Sequence, residues 1–324
     1  MQKEDCIIVG GGPCGLAAAI ALKDAGKNPL IIEKGNIVNA LYHYPTHQTF
    51  FSSSEKLAIG DVPFITVERK PRRNQALTYY REVVKRKDLR INRFEKVENV
   101  EKHGDVFTVT TSKGVYETTY VVIATGYYDS PNYMGVPGEE LDKVFHYFKE
   151  AHPYFDTDVV VIGGKNSAVD AALELHHAGA HVTCLYRGSD YSPSVKPWII
   201  PEFQSLVKHG KIKMEFNAHV KEITEHSVVY EVEGKQTEIS NDFVFAMTGY
   251  HPDHTFISNM GVQIDSETGR PHFNPESMET NVKNLFIAGV IAAGNDANEI
   301  FIENGRFHGE QIAKHILEME KSVL

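Results

Sequence analysis

At 324 residues the chain has room for about two domains, each with its own core. Hydrophobic residues at 42% and charged residues at 23% describe a globular polypeptide, and 33 basic against 43 acidic side chains leave a net charge of −10. That balance disfavours nonspecific binding to nucleic acid or to an anionic membrane surface. No apolar run approaches the roughly 20 residues of a membrane span, and the opening "MQKED" leads into a strand pattern rather than a signal peptide. The three cysteines, Cys6, Cys14 and Cys184, are widely spaced and fit a reducing compartment, so a cytoplasmic protein is expected. With no CxxC and no HExxH, no metal site is expected.

Taken in chain order, "CIIVGGG" at residues 6–12 is an apolar, β-branched run ending in glycines, the pattern of a buried parallel strand. "PCGLAAAIALKDAG" then places proline in a first helical turn and continues with helix formers to Gly26. "NPLIIEKG" supplies a second strand, with Glu33 at its end, 23 residues after Gly10. Gly10, Gly12 and Gly15 fit GxGxxG, with Pro13 and Cys14 inside the motif. The first glycine allows the tight turn, the second lets backbone approach a pyrophosphate, and the third lets helix and strand pack closely. The helix N-terminus then faces the phosphates, and Glu33, with Lys34 beside it, is placed to accept a ribose hydroxyl.

Residues 107–126 read as a three-stranded piece closing on Ala124-Thr125-Gly126, and residues 127–153 as a Pro-rich aromatic connection. "DVVVIGGKNSAVDAALELHHAGAHVTCLYRG" at residues 158–188 then repeats the strand, glycine turn, helix and strand, which predicts a second nucleotide site. Its turn is Gly163-Gly164-Lys165-Asn166-Ser167-Ala168. The Cβ of Lys165 crowds an approaching pyrophosphate, while its ammonium offers a phosphate contact. Counting the same 23 residues from Gly163 reaches Tyr186 followed by Arg187, with no carboxylate. Arginine there suits a 2′-phosphate, so NADPH is expected over NADH. Lys196 reads as a solvated lysine, with assistance at that phosphate as the other reading. Residues 226–253 are a further β stretch, and "NLFIAGVIAAG" precedes a helical pattern running to Leu324.

These motifs resemble the two-dinucleotide-binding flavoproteins over essentially the whole chain. Low-molecular-weight thioredoxin reductases are nearest in length, and flavin monooxygenases share the Ala-Thr-Gly strand. The resemblance implies an α/β fold with two Rossmann-like dinucleotide-binding domains, the NADPH domain inserted in a discontinuous FAD domain. The expected division is 1–126 and 253–324 for FAD and 127–252 for NADPH. It also assigns Thr125, Gly126 and Gly289 to the FAD site. The family's last motif usually pairs its glycine with an aspartate, where this chain has Gly289-Val290. Either Asn295 or Asp296 takes over that contact or it is missing.

Thioredoxin reductases carry a CxxC that this chain lacks. That absence, with "GGGPCG", "VVVIGGKNSAVDAALEL" and residues 41–64, resembles the bacillithiol-disulfide reductase family. The resemblance implies NADPH-dependent, FAD-mediated reduction of bacillithiol disulfide, linked to small thioredoxin-like bacilliredoxins, in a homo-oligomer. Cys14 is either a redox thiol activated by the helix N-terminus or a compact residue in a tight turn whose thiolate the diphosphate suppresses. If it is not the nucleophile, Tyr42, His43 and His47 are candidate proton sources, with His47 the catalytic candidate retained. Three other readings stay open: a flavin monooxygenase, suggested by "FAMTGYHPD"; a ferredoxin or flavodoxin NADP reductase; and a non-enzymatic redox sensor.

Overall fold

The computed structural model describes residues 1–296 and 298–323. The chain divides into two compact units, the first comprising Met1–Tyr42, Gln48–Ser130 and Tyr250–Leu324, the second His43–His47 and Pro131–Gly249. Both are α/β.

The first unit opens with β1 (Gln2–Val9), α1 (Pro13–Asp24) and β2 (Leu30–Glu33). Short α2 (Asn39–Tyr42) and α3 (Ser54–Leu57) precede α4 (Arg73–Arg86), β3 (Arg90–Arg93) and the meander β4 (Val97–His103), β5 (Val106–Thr111), β6 (Val115–Ile123). The third strand of the β piece expected at 107–126 is thus β4, upstream of that range. In β1 only the second half is buried, because Cys6–Val9 lies between β2 and β6, with Ile7 opposite both Leu30 and Val121 in parallel register. Pro13 starts α1 where its missing N–H costs nothing.

The second unit contains β7 (Val144–Phe145), β8 (Asp158–Ile162), α5 (Asn166–His177), β9 (His181–Leu185), α6 (Ile200–Lys208) and β10 (Lys213–Glu215). An antiparallel meander follows, β11 (His219–Ile223), β12 (Ser227–Val232) and β13 (Lys235–Ser240), then β14 (Phe243–Ala246). The described parallel sheet runs β10-β9-β8-β14-β7. Its edge strand β7 lies inside the stretch read from sequence as a mere connection. Segment 43–47, expected with the FAD domain, groups here, with the Thr46 N–H donating to the Lys149 carbonyl at 2.8 Å.

Back in the first unit, α7 (His254–Asn259), β15 (Leu285–Ile287), α8 (Ile302–Gly305) and α9 (His308–Val323) complete the fold. The described sheet runs β3-β2-β1-β6-β5-β4, with β15 parallel to the C-terminal end of β6. Helix α1 is alanine-rich and buried on most faces because α9 lies directly on it. A Cβ at Gly309 would stand 2.4 Å from the Ala18 Cα, so only glycine allows that approach. The terminal helical pattern is interrupted between Gly305 and His308, and Leu324 lies outside the described residues.

Candidate functional site

In the sheets of both units the first strand of the unit adjoins, in parallel, a strand from far along the chain, the reversal point at whose carboxyl ends α/β proteins bind ligands. In the first unit this point lies between β1 and β6. Gly10 adopts φ +109°, and a Cβ there would stand 2.5 Å from the Ala124 carbonyl oxygen. One at Gly15 would stand 2.1 Å from the Gly10 carbonyl oxygen, which explains the first and third glycines by packing. Gly12 differs: its backbone is ordinary extended chain (φ −73°, ψ 175°), and a Cβ there meets nothing within 4 Å. No described protein atom therefore demands glycine at this position, and the missing Cβ leaves the turn open on that side.

The Thr125 hydroxyl oxygen is buried and has no hydrogen-bond partner among the described residues. An open cradle beside the unpaired first N–H groups of α1, with an orphaned buried hydroxyl, fits a dinucleotide. Glu33 is buried and accepts the Gly11 and Gly35 N–H groups, each at 2.7 Å. Burial raises its pKa, while those two bonds and Lys34 oppose the rise. Each carboxylate oxygen keeps a lone pair for a ribose hydroxyl. The Lys34 ammonium pairs with Asp129 at 2.8 Å, and Gly126, at φ +70°, has open space where a Cβ would stand.

Cys14 lies where β15 also ends. A Cβ at Gly289 would stand 3.0 Å from the Cys14 Cβ and 3.1 Å from its Sγ, and one at Gly305 3.0 Å from the same sulfur. Desolvation pushes the Cys14 thiol up to about 12. The packing of the thiol between two glycine backbones thus adds to the expected contest between helix terminus and diphosphate a desolvation that opposes the thiolate. Cys6 and Cys184 are buried and likewise raised, Cys184 to about 12. The Gly289 N–H donates to Nδ1 of His308 at 3.1 Å, and burial lowers the pKa of that imidazole to about 4. Of the two substitutes for the absent aspartate, Asn295 lies against Gly269 and the Asp296 carboxylate accepts the Asn298 N–H at 3.0 Å.

The second unit repeats the design. Gly163 has φ +138°, and a Cβ there would stand 2.4 Å from the Met247 carbonyl oxygen and 3.1 Å from the Ala168 Cβ. Lys165 takes the place of Gly12, capping α5 with extended backbone (φ −101°, ψ −171°) and an exposed side chain. Its Cβ leaves the backbone unstrained, and the exposed ammonium and Ser167 flank the helix terminus. Tyr186 covers Gly164, with ring atoms 2.4 Å from where a Cβ would stand, so it occupies the position that Glu33 holds against Gly11. Arg187 follows it, exposed.

Asn166 turns its amide away from the open turn, donating to the Ser194 carbonyl at 2.8 Å and accepting the Lys196 N–H at 3.0 Å. Lys196 is not solvated: it is 8% exposed, and its ammonium donates to Asp170 at 2.8 Å. Together these contacts fasten residues 194–196 to α5.

His47 joins the second unit, lining a cavity of about 740 Å³ with Glu150, His152, Phe155, Glu174 and His177. That cavity sits at the C-terminal end of α5, about 17 Å along the helix from the glycine turn. Burial raises the Glu174 carboxyl there, and His47 opposes the rise. Tyr42 stays in the first unit with the Arg73 guanidinium 5.3 Å from its ring centroid, whereas His43 falls in the second. Sequence reasoning missed His308 and the covering role of Tyr186. The 23-residue count does point at Tyr186, but nothing local marks His308.

A chain with two glycine-turn cradles at the reversal points of two α/β sheets is a two-dinucleotide oxidoreductase. It belongs to the pyridine nucleotide-disulphide oxidoreductase family, which it matches over residues 7–289, and its cofactors are FAD and a pyridine nucleotide. It is 68% identical over 322 residues to the bacilliredoxin reductase of Bacillus subtilis (strain 168), covering 99% of each chain. A bacillithiol disulfide reductase from Bacillus cereus superposes with a TM-score of 0.97 at 69% identity, covering 98% of this chain and 100% of that one. The bacillithiol disulfide reductase from Staphylococcus aureus gives 0.96 at 63% identity, covering 99% and 100%.

Proposed function

We propose that this enzyme reduces the disulfide of a low-molecular-weight thiol, bacillithiol disulfide, with NADPH as electron donor. In this reading the first unit holds FAD through Gly10, Gly12, Pro13, Cys14, Gly15, Glu33, Lys34, Thr125, Gly126 and Gly289. The second holds NADPH through Gly163, Gly164, Lys165, Asn166, Ser167, Ala168 and Arg187. When bound, FAD supplies a ring that takes a hydride from the nicotinamide and passes two electrons to a disulfide. The net reaction consumes NADPH, a proton and one disulfide and yields NADP⁺ and two thiols.

The protein's own residues bind and orient. The first N–H groups of α1 face the pyrophosphate, Glu33 fixes a ribose, and Tyr186 with Arg187 selects the 2′-phosphate. Asn166 acts through its hold on residues 194–196. Cys14 serves the loop as a packed residue rather than as a resting thiolate. His47 is read as a neighbour of Glu174 and not as the proton donor.

The observation that carries the reading is the pair of matching cradles in a chain whose described cysteines are all free and buried or half-buried. Without a paired dithiol, the electrons have a small disulfide as their simplest destination. The name of the Bacillus subtilis relative supports a functional link to bacilliredoxins, and the three cysteines support a reducing cytoplasm. A homo-oligomer is part of the same proposal.

The test is anaerobic reduction of the purified flavoprotein with one equivalent of NADPH, followed by bacillithiol disulfide or glutathione disulfide. Flavin reoxidation with release of two thiols by bacillithiol disulfide supports the proposal. A reduced flavin indifferent to that disulfide overturns it.

A further inference from the structure

Three close contacts lock the end of the FAD cradle. Gly289 and Gly305 both press on Cys14, and a Cβ at Gly305 would also stand 3.2 Å from the Gly289 Cα, so the three residues have no slack between them. Gly289 itself adopts φ +82°, and its N–H follows the last ladder bond of β15, from the Ala288 N–H to the Ile123 carbonyl. The acceptor it finds is Nδ1 of His308 at 3.1 Å. His308 is in turn fixed by its neighbour, because Gly309 sits on Ala18 in the middle of α1. The imidazole therefore joins both ends of a rigid triangle: the glycine loop at Cys14, the body of α1 at Ala18, and the turn after β15.

We propose that His308 is a positioning residue for FAD, whose Nδ1 lone pair holds the Gly289 turn against Cys14 and so sets the loop facing the dinucleotide. The inference rests on the reading that the first unit binds FAD. Accepting an N–H at Nδ1 requires the proton to sit on Nε2, and burial keeps the ring neutral at physiological pH. Among the described residues the Gly289 N–H has His308 as its acceptor, while Asn295 lies against Gly269 and one Asp296 carboxylate oxygen accepts the Asn298 N–H.

The test compares His308→Ala with His308→Asn, whose amide oxygen can stand where Nδ1 does. FAD dissociation constants are measured on reconstituted protein, with the visible flavin spectrum as a second readout and thermal unfolding of the apoproteins as a control. His308→Ala should bind FAD about tenfold more weakly, equivalent to about 1.4 kcal/mol, with an altered spectrum. His308→Asn should stay within about threefold of wild type, and the two apoproteins should melt together. Wild-type affinity in His308→Ala overturns the proposal, as does equal loss in both variants, which marks a packing role. A wild-type protein that binds no FAD overturns the underlying site reading instead.

Discussion

Replacing Gly12 by alanine should separate cofactor binding from folding. The backbone at Gly12 suits any residue, and the new Cβ would meet no protein atom within 4 Å. The apoprotein should therefore keep its stability or gain about 0.4–1 kcal/mol from the stiffer unfolded chain. FAD, in contrast, must retreat from the N–H groups of the loop. Losing two charge-assisted hydrogen bonds of about 1.5 kcal/mol each weakens binding by about 100-fold. Gly15→Ala is the control of opposite sign, because its Cβ would lie 2.1 Å from the Gly10 carbonyl oxygen. Relieving that overlap moves backbone and should cost about 3 kcal/mol of stability. Thermal unfolding of flavin-free protein and titration with FAD read the two effects apart. A Gly12→Ala apoprotein that melts well below wild type, or one that binds FAD normally, would refute this account of the cradle.

Arg187→Ala should raise KM for NADPH by roughly 10- to 100-fold and leave KM for NADH within about twofold, because only the 2′-phosphate loses a partner. Equal effects on both nucleotides would remove Arg187 from the phosphate site. With Cys14 and Cys184 raised to about 12 and Cys6 higher still, native protein should show no fast thiol alkylation at pH 7, its rate climbing with pH. One thiol reacting as quickly as a free cysteine would contradict the packing assigned to Cys14. His308, held neutral down to about pH 4, lets the unfolded state bind a proton that the folded state does not. Stability should therefore fall as the pH drops from about 6.5 towards 4, by up to about 3 kcal/mol. His308→Asn should flatten that slope, and an unchanged slope would assign the acid sensitivity to other groups.

Much of this was legible in the sequence because the glycine turn is a local device. Gly10, Gly15 and Gly163 announce close approaches that the fold then displays, and the spacing to Glu33 and Tyr186 carries across both units. What stayed hidden depends on contacts between distant segments. Lys196 looked solvated because nothing near it is acidic, yet its partner Asp170 stands one helical turn into α5. His47 stands close in sequence to Glu33 but folds with the other unit, through a backbone bond from Thr46 to Lys149. The state of Cys14 was also illegible, since the glycines packed against it, Gly289 and Gly305, lie near the other end of the chain. The 3₁₀ turn of Val290–Ala293 and the break before His308 interrupt the C-terminal pattern, so no periodicity links His308 to Gly289.

In the proposed reaction, electrons pass from NADPH through the flavoprotein to a low-molecular-weight disulfide without a protein dithiol. Its most direct test is steady-state NADPH oxidation under anaerobic conditions with bacillithiol disulfide as the sole acceptor, counting thiols released per NADPH consumed. Two thiols should appear per NADPH, with no turnover when the disulfide is omitted. NADPH oxidation that releases no thiol, or that requires oxygen or a ferredoxin-type acceptor, would contradict it.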